Sequence, residues 1–312
     1  MRNHIPHPSK TFDLKVIYRQ DFPYPDSIMQ YIKNARTTPK FYTRLLKSCK
    51  FFYSKKNLTV PFKQYYNTSN GFVETKVFGS QRVIFNQFEI IPNNLWMLGK
   101  IKIHDIQRDF ASNFFQKISI SAIKRLKLMN QTITLDELQF ITSDKLELIN
   151  FNRVTILDKN KSLVPLENVV ETFINTIEIT IGLDETCFKS VVAKTASNIA
   201  KLVCASKLKM FVLNDLPDTF NFDEFSKFVP HLQNTCINLS FSSSISEKYI
   251  KKLDAYIDDS LKTGVTEVVP LYIIYPNQSN ERYDALVDLQ NDIYEKRASL
   301  STYLNESRKH SF

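Results

Sequence analysis

Glycine is scarce in this chain, with 5 among 312 residues. A phosphate-cradling loop needs several glycines close together so that backbone N–H groups can approach the anion. Neither G-x-G-x-x-G nor G-x-x-x-x-G-K-[ST] occurs, which excludes the common nucleotide-binding loops. Cysteine is sparse too. Cys49, Cys187, Cys204 and Cys236 lie far apart with no C-x-x-C pair. That excludes a zinc ribbon and a dense disulfide framework, and it suits a reducing compartment. The five histidines, His4, His7, His104, His231 and His310, are scattered, and no H-E-x-x-H, G-x-S-x-G or D-x-D-x-D-G pattern is present. Acidic pairs such as Asp136/Glu137 and Asp258/Asp259 fall at helix starts or on helix faces and read as solvating charge, not as a general acid–base pair. No run of about 18 apolar residues offers a membrane span. The first sixteen residues, MRNHIPHPSKTFDLKV, lack the apolar core of a secretory signal. The expectation is a cytoplasmic or nuclear protein that catalyses nothing and carries no cofactor and no metal.

What is present is a globular composition, 43% hydrophobic, with a net charge of +9 and a pI near 9.2. That balance allows an acidic partner. The charges of both signs are spread along the chain, which disfavours a nucleic-acid groove. Residues 1–20 have no periodicity and read as a loose leader.

Residues 21–57 read as two short amphipathic helices. Pro25 suits a first helical turn, Asp26 suits the positive end of the helix dipole, and Ile28, Met29 and Ile32 share one face. Thr38–Pro39 is a second start signal. Tyr42, Leu45, Leu46, Cys49 and Phe52 then recur at three- and four-residue steps, with Lys40, Arg44, Lys47 and Lys50 mostly opposite. Such a pair is too small to be stable unaided, so its apolar side must pack on a partner or on the rest of the chain.

This stretch resembles an F-box. The Pro25–Asp26 opening, the first apolar helix, the break at Pro39 and the closing Leu45, Leu46, Cys49, Lys50, Phe51, Phe52 run carry the resemblance. Tyr24 departs from it, because leucine is usual before the proline. The whole chain is similar to the large nematode group of F-box-like proteins, in which such a start precedes leucine-rich-like repeats. The resemblance implies docking on the Skp-type adaptor of a cullin ubiquitin ligase through Pro25, Ile28, Met29, Ile32, Leu45, Leu46 and Cys49, and presentation of an unidentified target protein by the repeats.

Residues 58–118 read as a β-rich linking segment, with strands at 73–77, 82–88 and 95–103 and turn signals at Asn70–Gly71, Gly79–Ser80 and 92–94. Trp96 is assigned to core packing. From 119 to 304 strands and helices alternate. Strands are expected at 125–129, 146–151, 177–181, 208–213, 236–241 and 271–275. Helices are expected at 135–142, 166–174, 188–204, 222–229, 247–261 and 281–300, with Thr134, Pro165 and a Ser244/Glu247 capping box as start signals and Gly264 as a stop. Residues 305–312 form a polar tail.

A strand–helix period of roughly 20–35 residues suits an irregular leucine-rich-repeat-like solenoid with a parallel sheet; an ordinary α/β sheet fits the same pattern. Lysines alternate with apolar residues at Lys127, Lys207 and Lys209, which predicts a lysine-bearing outward strand face, the candidate target-binding surface. Glu147 and Glu178 interrupt it. Three functions remain in play: ligase adaptor, plain repeat scaffold and nucleic-acid-binding body.

Overall fold

A computed structural model describes residues 60–67, 73–77, 82–85, 88, 91, 93–104, 107–232, 235–266 and 268–309, with side chains described from 88 to 296. The docking residues Pro25, Ile28, Met29, Ile32, Leu45, Leu46 and Cys49 lie outside this set, as does the whole 21–57 module.

Among the described residues the fold is α/β around an eleven-stranded, mostly parallel sheet. Strands β1 (Val60–Asn67), β2 (Val73–Val77) and β3 (Arg82–Phe85) form an antiparallel meander. From β1 the sheet continues in parallel through β4 (Leu95–His104), β6 (Arg125–Met129), β8 (Leu148–Asn152), β10 (Glu178–Gly182), β11 (Met210–Leu216), β12 (Cys236–Phe241) and β13 (Tyr272–Ile274). Strand β5 (Ile118–Ser121) pairs along β4. Two short strands, β7 (Thr132–Thr134) and β9 (Thr155–Leu157), pair with each other in a separate two-stranded sheet. The expected linking segment, 58–118, is therefore not a linker: β1 and β4 are members of the same sheet as the later strands.

The strands from β4 onward add in chain order at one edge. Right-handed crossovers then place the connecting helices on one side of the sheet. These are α1 (Phe110–Phe115), α2 (Leu135–Ile141), α3 (Leu166–Thr172), α4 (Thr195–Cys204), α5 (Phe222–Ser226) and α6 (Glu247–Thr263), with α7 (Asn280–Lys309) after the last strand.

Two in-register rows of side chains make the sheet half of the core. One runs Ile101, Leu126, Ile149, Ile179, Phe211, Ile237. The other runs Ile103, Leu128, Phe151, Ile181, Leu213, Leu239, Ile273. All are buried in one cluster with Leu138, Val170, Ile199, Phe225 and Leu253 of the helices. Each fully buried aliphatic side chain contributes about 1.5–3 kcal/mol relative to exposure, so these rows fix which face of every strand points inward.

The helix starts follow local chemistry. Thr134 caps α2 as a complete capping box: the Glu137 N–H donates to Thr134 Oγ1 (3.2 Å) and the Thr134 N–H donates to Glu137 Oε2 (2.8 Å). Gly264 ends α6 with φ 69°, a left-handed conformation that costs glycine little. The cap of α6 is Ser246, whose side chain accepts from the Tyr249 N–H, and not the expected Ser244.

The expected helix 188–204 splits into a 3-10 turn, Phe188–Ser190, and α4. At the break Thr195 Oγ1 accepts the Val192 N–H (3.0 Å) and donates to Glu167 Oε2 (2.8 Å), competing with continuous helix. Helix 222–229 is cut short likewise. Pro230 has no N–H to donate to the carbonyl of Ser226, four residues back, so the α-helical ladder stops; α5 ends at Ser226 and a 3-10 turn follows over Val229–His231.

The C-terminal helix is pinned by polar contacts. Arg282 donates to the carboxylates of Asp254 and Asp258, and the Tyr275 hydroxyl donates to Asp254. Tyr272 and Tyr283 bond through their hydroxyls. Helix α7 runs on to Lys309, through most of the expected tail.

Four phenols of this end, Tyr249, Tyr256, Tyr272 and Tyr275, are all pushed above the ordinary tyrosine range, each chiefly by burial. At Tyr272 and Tyr275 a neighbouring hydroxyl or carboxylate adds to it. A raised native pKa means that the neutral form is favoured on folding. The corresponding stability is fully present below about pH 10, the unfolded tyrosine value, and is lost as pH climbs from there toward the native value. Absorbance titration at alkaline pH is expected to show these phenols ionising together with unfolding, and not as a reversible step near pH 10.

Candidate functional site

Period-two alternation turns the residues between the core rows to the opposite, outer face of the sheet. Pairing across the ladder sets them in rows. The first runs Gln64, Lys100, Arg125, Leu148, Glu178, Met210, Cys236. The second runs Tyr66, Lys102, Lys127, Asn150, Thr180, Val212, Asn238, Tyr272. A third holds His104, Met129, Asn152, Gly182 and Asn214. From Lys100 onward these side chains are half-buried or exposed, except Gly182, whereas their inward neighbours on the same strands are buried.

The charge on this face is not uniform. Lys100 and Lys102 on β4 lie directly beside Arg125 and Lys127 on β6. Adjacent strands are about 4.8 Å apart, so four cations share one small patch. The Lys100 ammonium is drawn below the usual lysine range by partial burial first, then by the charges of Lys102, Arg125 and Lys127. Beyond β8 the face turns polar and apolar, with Glu178 the one acid in its first row between Gln64 and Cys236.

Lys127 stands where the sequence pattern put it. Lys207 and Lys209 do not. Strand β11 begins at Met210, and the two lysines are exposed in the turn before it. The Lys209 N–H donates to the carbonyl of Ile177 and its own carbonyl accepts the Cys236 N–H, which places it on the rim of the sheet. The alternation Lys-Leu-Lys was real, but both lysines precede the ladder and carry the parity of Phe211 and Leu213, which face the core, so they do not share the outer face of Met210 and Val212. On the same rim Lys124 and Glu147 form an ion pair at 2.6 Å. The Glu147 carboxyl is held below its ordinary range, first by that hydrogen bond. The residues missed were Lys100 and Lys102, although the Lys-Ile-Lys-Ile run of β4 carries the same alternation as Arg-Leu-Lys-Leu of β6. Trp96 lies on this outer face half-buried, not in the core where it was assigned.

Elsewhere the described residues offer less. A groove of about 460 Å³ between α2 and α3 is lined by Leu135, Gln139, Thr142, Asn168, Glu171 and Thr172, with a single carboxylate and no nucleophile–base pair. Cys187 is buried and donates to the Val154 carbonyl (3.5 Å). Burial first, then Asp184, pushes its thiol up, away from the reactive thiolate. Cys204 is exposed. No group of three or more His, Cys, Asp or Glu side chains among the described residues is arranged to hold a metal ion. No helix among them is long and apolar enough to cross a membrane.

Compared with protein-family models, curated proteins and solved structures, the chain matches none.

Proposed function

We propose that the chain is a non-catalytic recognition adaptor. Its body, read as an irregular leucine-rich-repeat-like solenoid, presents a target protein on the outer face of the sheet. Residues 21–57, by their resemblance to an F-box, dock on the Skp-type subunit of a cullin ubiquitin ligase. The observation that carries the reading is the asymmetry of the sheet. One face is buried in a single core with the helices, while the other holds ordered rows of cationic, amide and apolar side chains. A surface laid out in rows on a rigid scaffold suits recognition of another macromolecule.

The docking half is tested by pull-down with the Skp-type adaptor. The wild-type chain is expected to be retained, and an Ile28→Asp, Leu45→Asp double variant to be lost. Equal retention of both, or of neither, leaves a repeat scaffold for protein–protein interaction without ligase docking.

A further inference from the structure

We propose that the outer face binds a short acidic segment of a partner protein, its carboxylates on Lys100, Lys102, Arg125 and Lys127 and its following residues on the amide and apolar rows toward β11. The inference rests on reading that face as a protein-binding surface, and it names the chemistry of the partner.

The cationic quartet is set by ladder register and not by side-chain flexibility: Lys100 opposes Arg125, and Lys102 opposes Lys127. Like charges directly opposite each other on a sheet are unfavourable. A carboxylate placed among them removes that repulsion and takes up N–H donors of Lys102, Arg125 and Lys127 in charge-assisted hydrogen bonds. Among the described residues no acidic side chain forms an ion pair with Lys102, Arg125 or Lys127.

The rest of the face selects the class of anion. Next to the quartet stand Asn150 and Asn152, and further on Asn214. No side-chain hydrogen bond engages any of the three among the described residues. An amide offers one donor and one acceptor group side by side, which matches a peptide backbone and not a phosphodiester, which only accepts. Met210, 38% exposed, and half-buried Val212 follow, apolar surface for an apolar side chain. Glu178 lies in the row of Lys100 and Arg125, two strands beyond Arg125. A nucleic-acid backbone tracking along that row would carry negative charge onto it. A peptide whose acids end before β10 does not. From β4 to β11 the sheet advances four strand steps, about 19 Å, which about six extended residues span.

The test is fluorescence anisotropy on the full chain with three labelled probes: a short peptide with adjacent aspartates and a leucine downstream, the same peptide with asparagine for aspartate, and a single-stranded RNA of similar length. The variants are Lys102→Glu with Lys127→Glu, the milder Lys102→Gln with Lys127→Gln, and Lys207→Glu with Lys209→Glu on the rim, each checked for native circular dichroism. The aspartate peptide is expected to bind most tightly. Its affinity should fall about tenfold or more on reversal of Lys102 and Lys127, fall less on neutralisation, and stay within about twofold on reversal of the rim pair. Tighter binding of the RNA, equal loss from the rim variant, or no binding of the acidic peptide at low salt overturns the proposal. Equal affinity for the aspartate and asparagine peptides overturns the acidic specificity while leaving a protein-binding face in place, and none of these outcomes bears on adaptor docking.

Discussion

Replacing Gln131 by leucine is expected to lower the unfolding free energy by about 2–4 kcal/mol, because it leaves the buried Ala111 N–H without its partner and removes two further hydrogen bonds from a turn whose space the new side chain fills. Gln131 is 1% exposed. Its Oε1 accepts the N–H of Ala111 at the start of α1 (2.8 Å), and its Nε2 donates to the carbonyls of Gln107 (3.1 Å) and Asn130 (3.0 Å). One amide therefore ties the exit of β6 to the segment that enters α1. Urea unfolding followed by circular dichroism measures the effect, and the midpoint should move with the slope unchanged. Thr132→Ala, one residue along and half-buried, should change stability much less. A loss at Gln131 no larger than that at Thr132 would mean that the amide is not what holds the turn.

That turn also marks where the sequence stopped being legible. Strands with clean alternation were readable to the residue: β2, β6 and β12 have the bounds their period predicts, because a one-residue slip would turn every apolar side chain to the wrong face. The capping box at Thr134 and Glu137 was readable because both partners lie three residues apart. What could not be read depended on contacts distant in sequence. Nothing local in Val60–Asn67 says that it pairs in parallel with β4. Nothing local distinguishes a surface glutamine from Gln131. Strands β7 and β9 are three residues each, too short for a period to show. They follow strand exits at which Asn130 and Arg153 take φ of 54°, a left-handed conformation that no pattern of apolar residues announces. The rim position of Lys207 and Lys209 was lost for a related reason, since alternation says neither where the ladder begins nor which of its two faces is the inner one, and in β11 the inner parity is that of Phe211 and Leu213.

Phe211→Ala should be the most damaging single truncation in the middle of the sheet, at about 3–5 kcal/mol for a fully buried phenylalanine. Phe211 is 0% exposed and sits in β11 with Ile179 on one side and Ile237 on the other, inside the row that spans six strands. The lost ring leaves a cavity that rigid strands on both sides cannot collapse to fill. Val212→Ala, the next residue, removes a half-buried side chain from the outer face and should cost far less by the same urea measurement. The binding consequences should run the other way. Wherever Phe211→Ala remains folded, the basic quartet and the amide row keep their register, so affinity for the acidic peptide should be preserved, whereas Val212→Ala trims the surface the peptide touches. A single step along β11 thus separates a residue that holds the sheet together from one that faces a partner. Equal stability losses at the two positions would mean that the outer face is as closed as the inner one, and the recognition surface would have to be sought elsewhere.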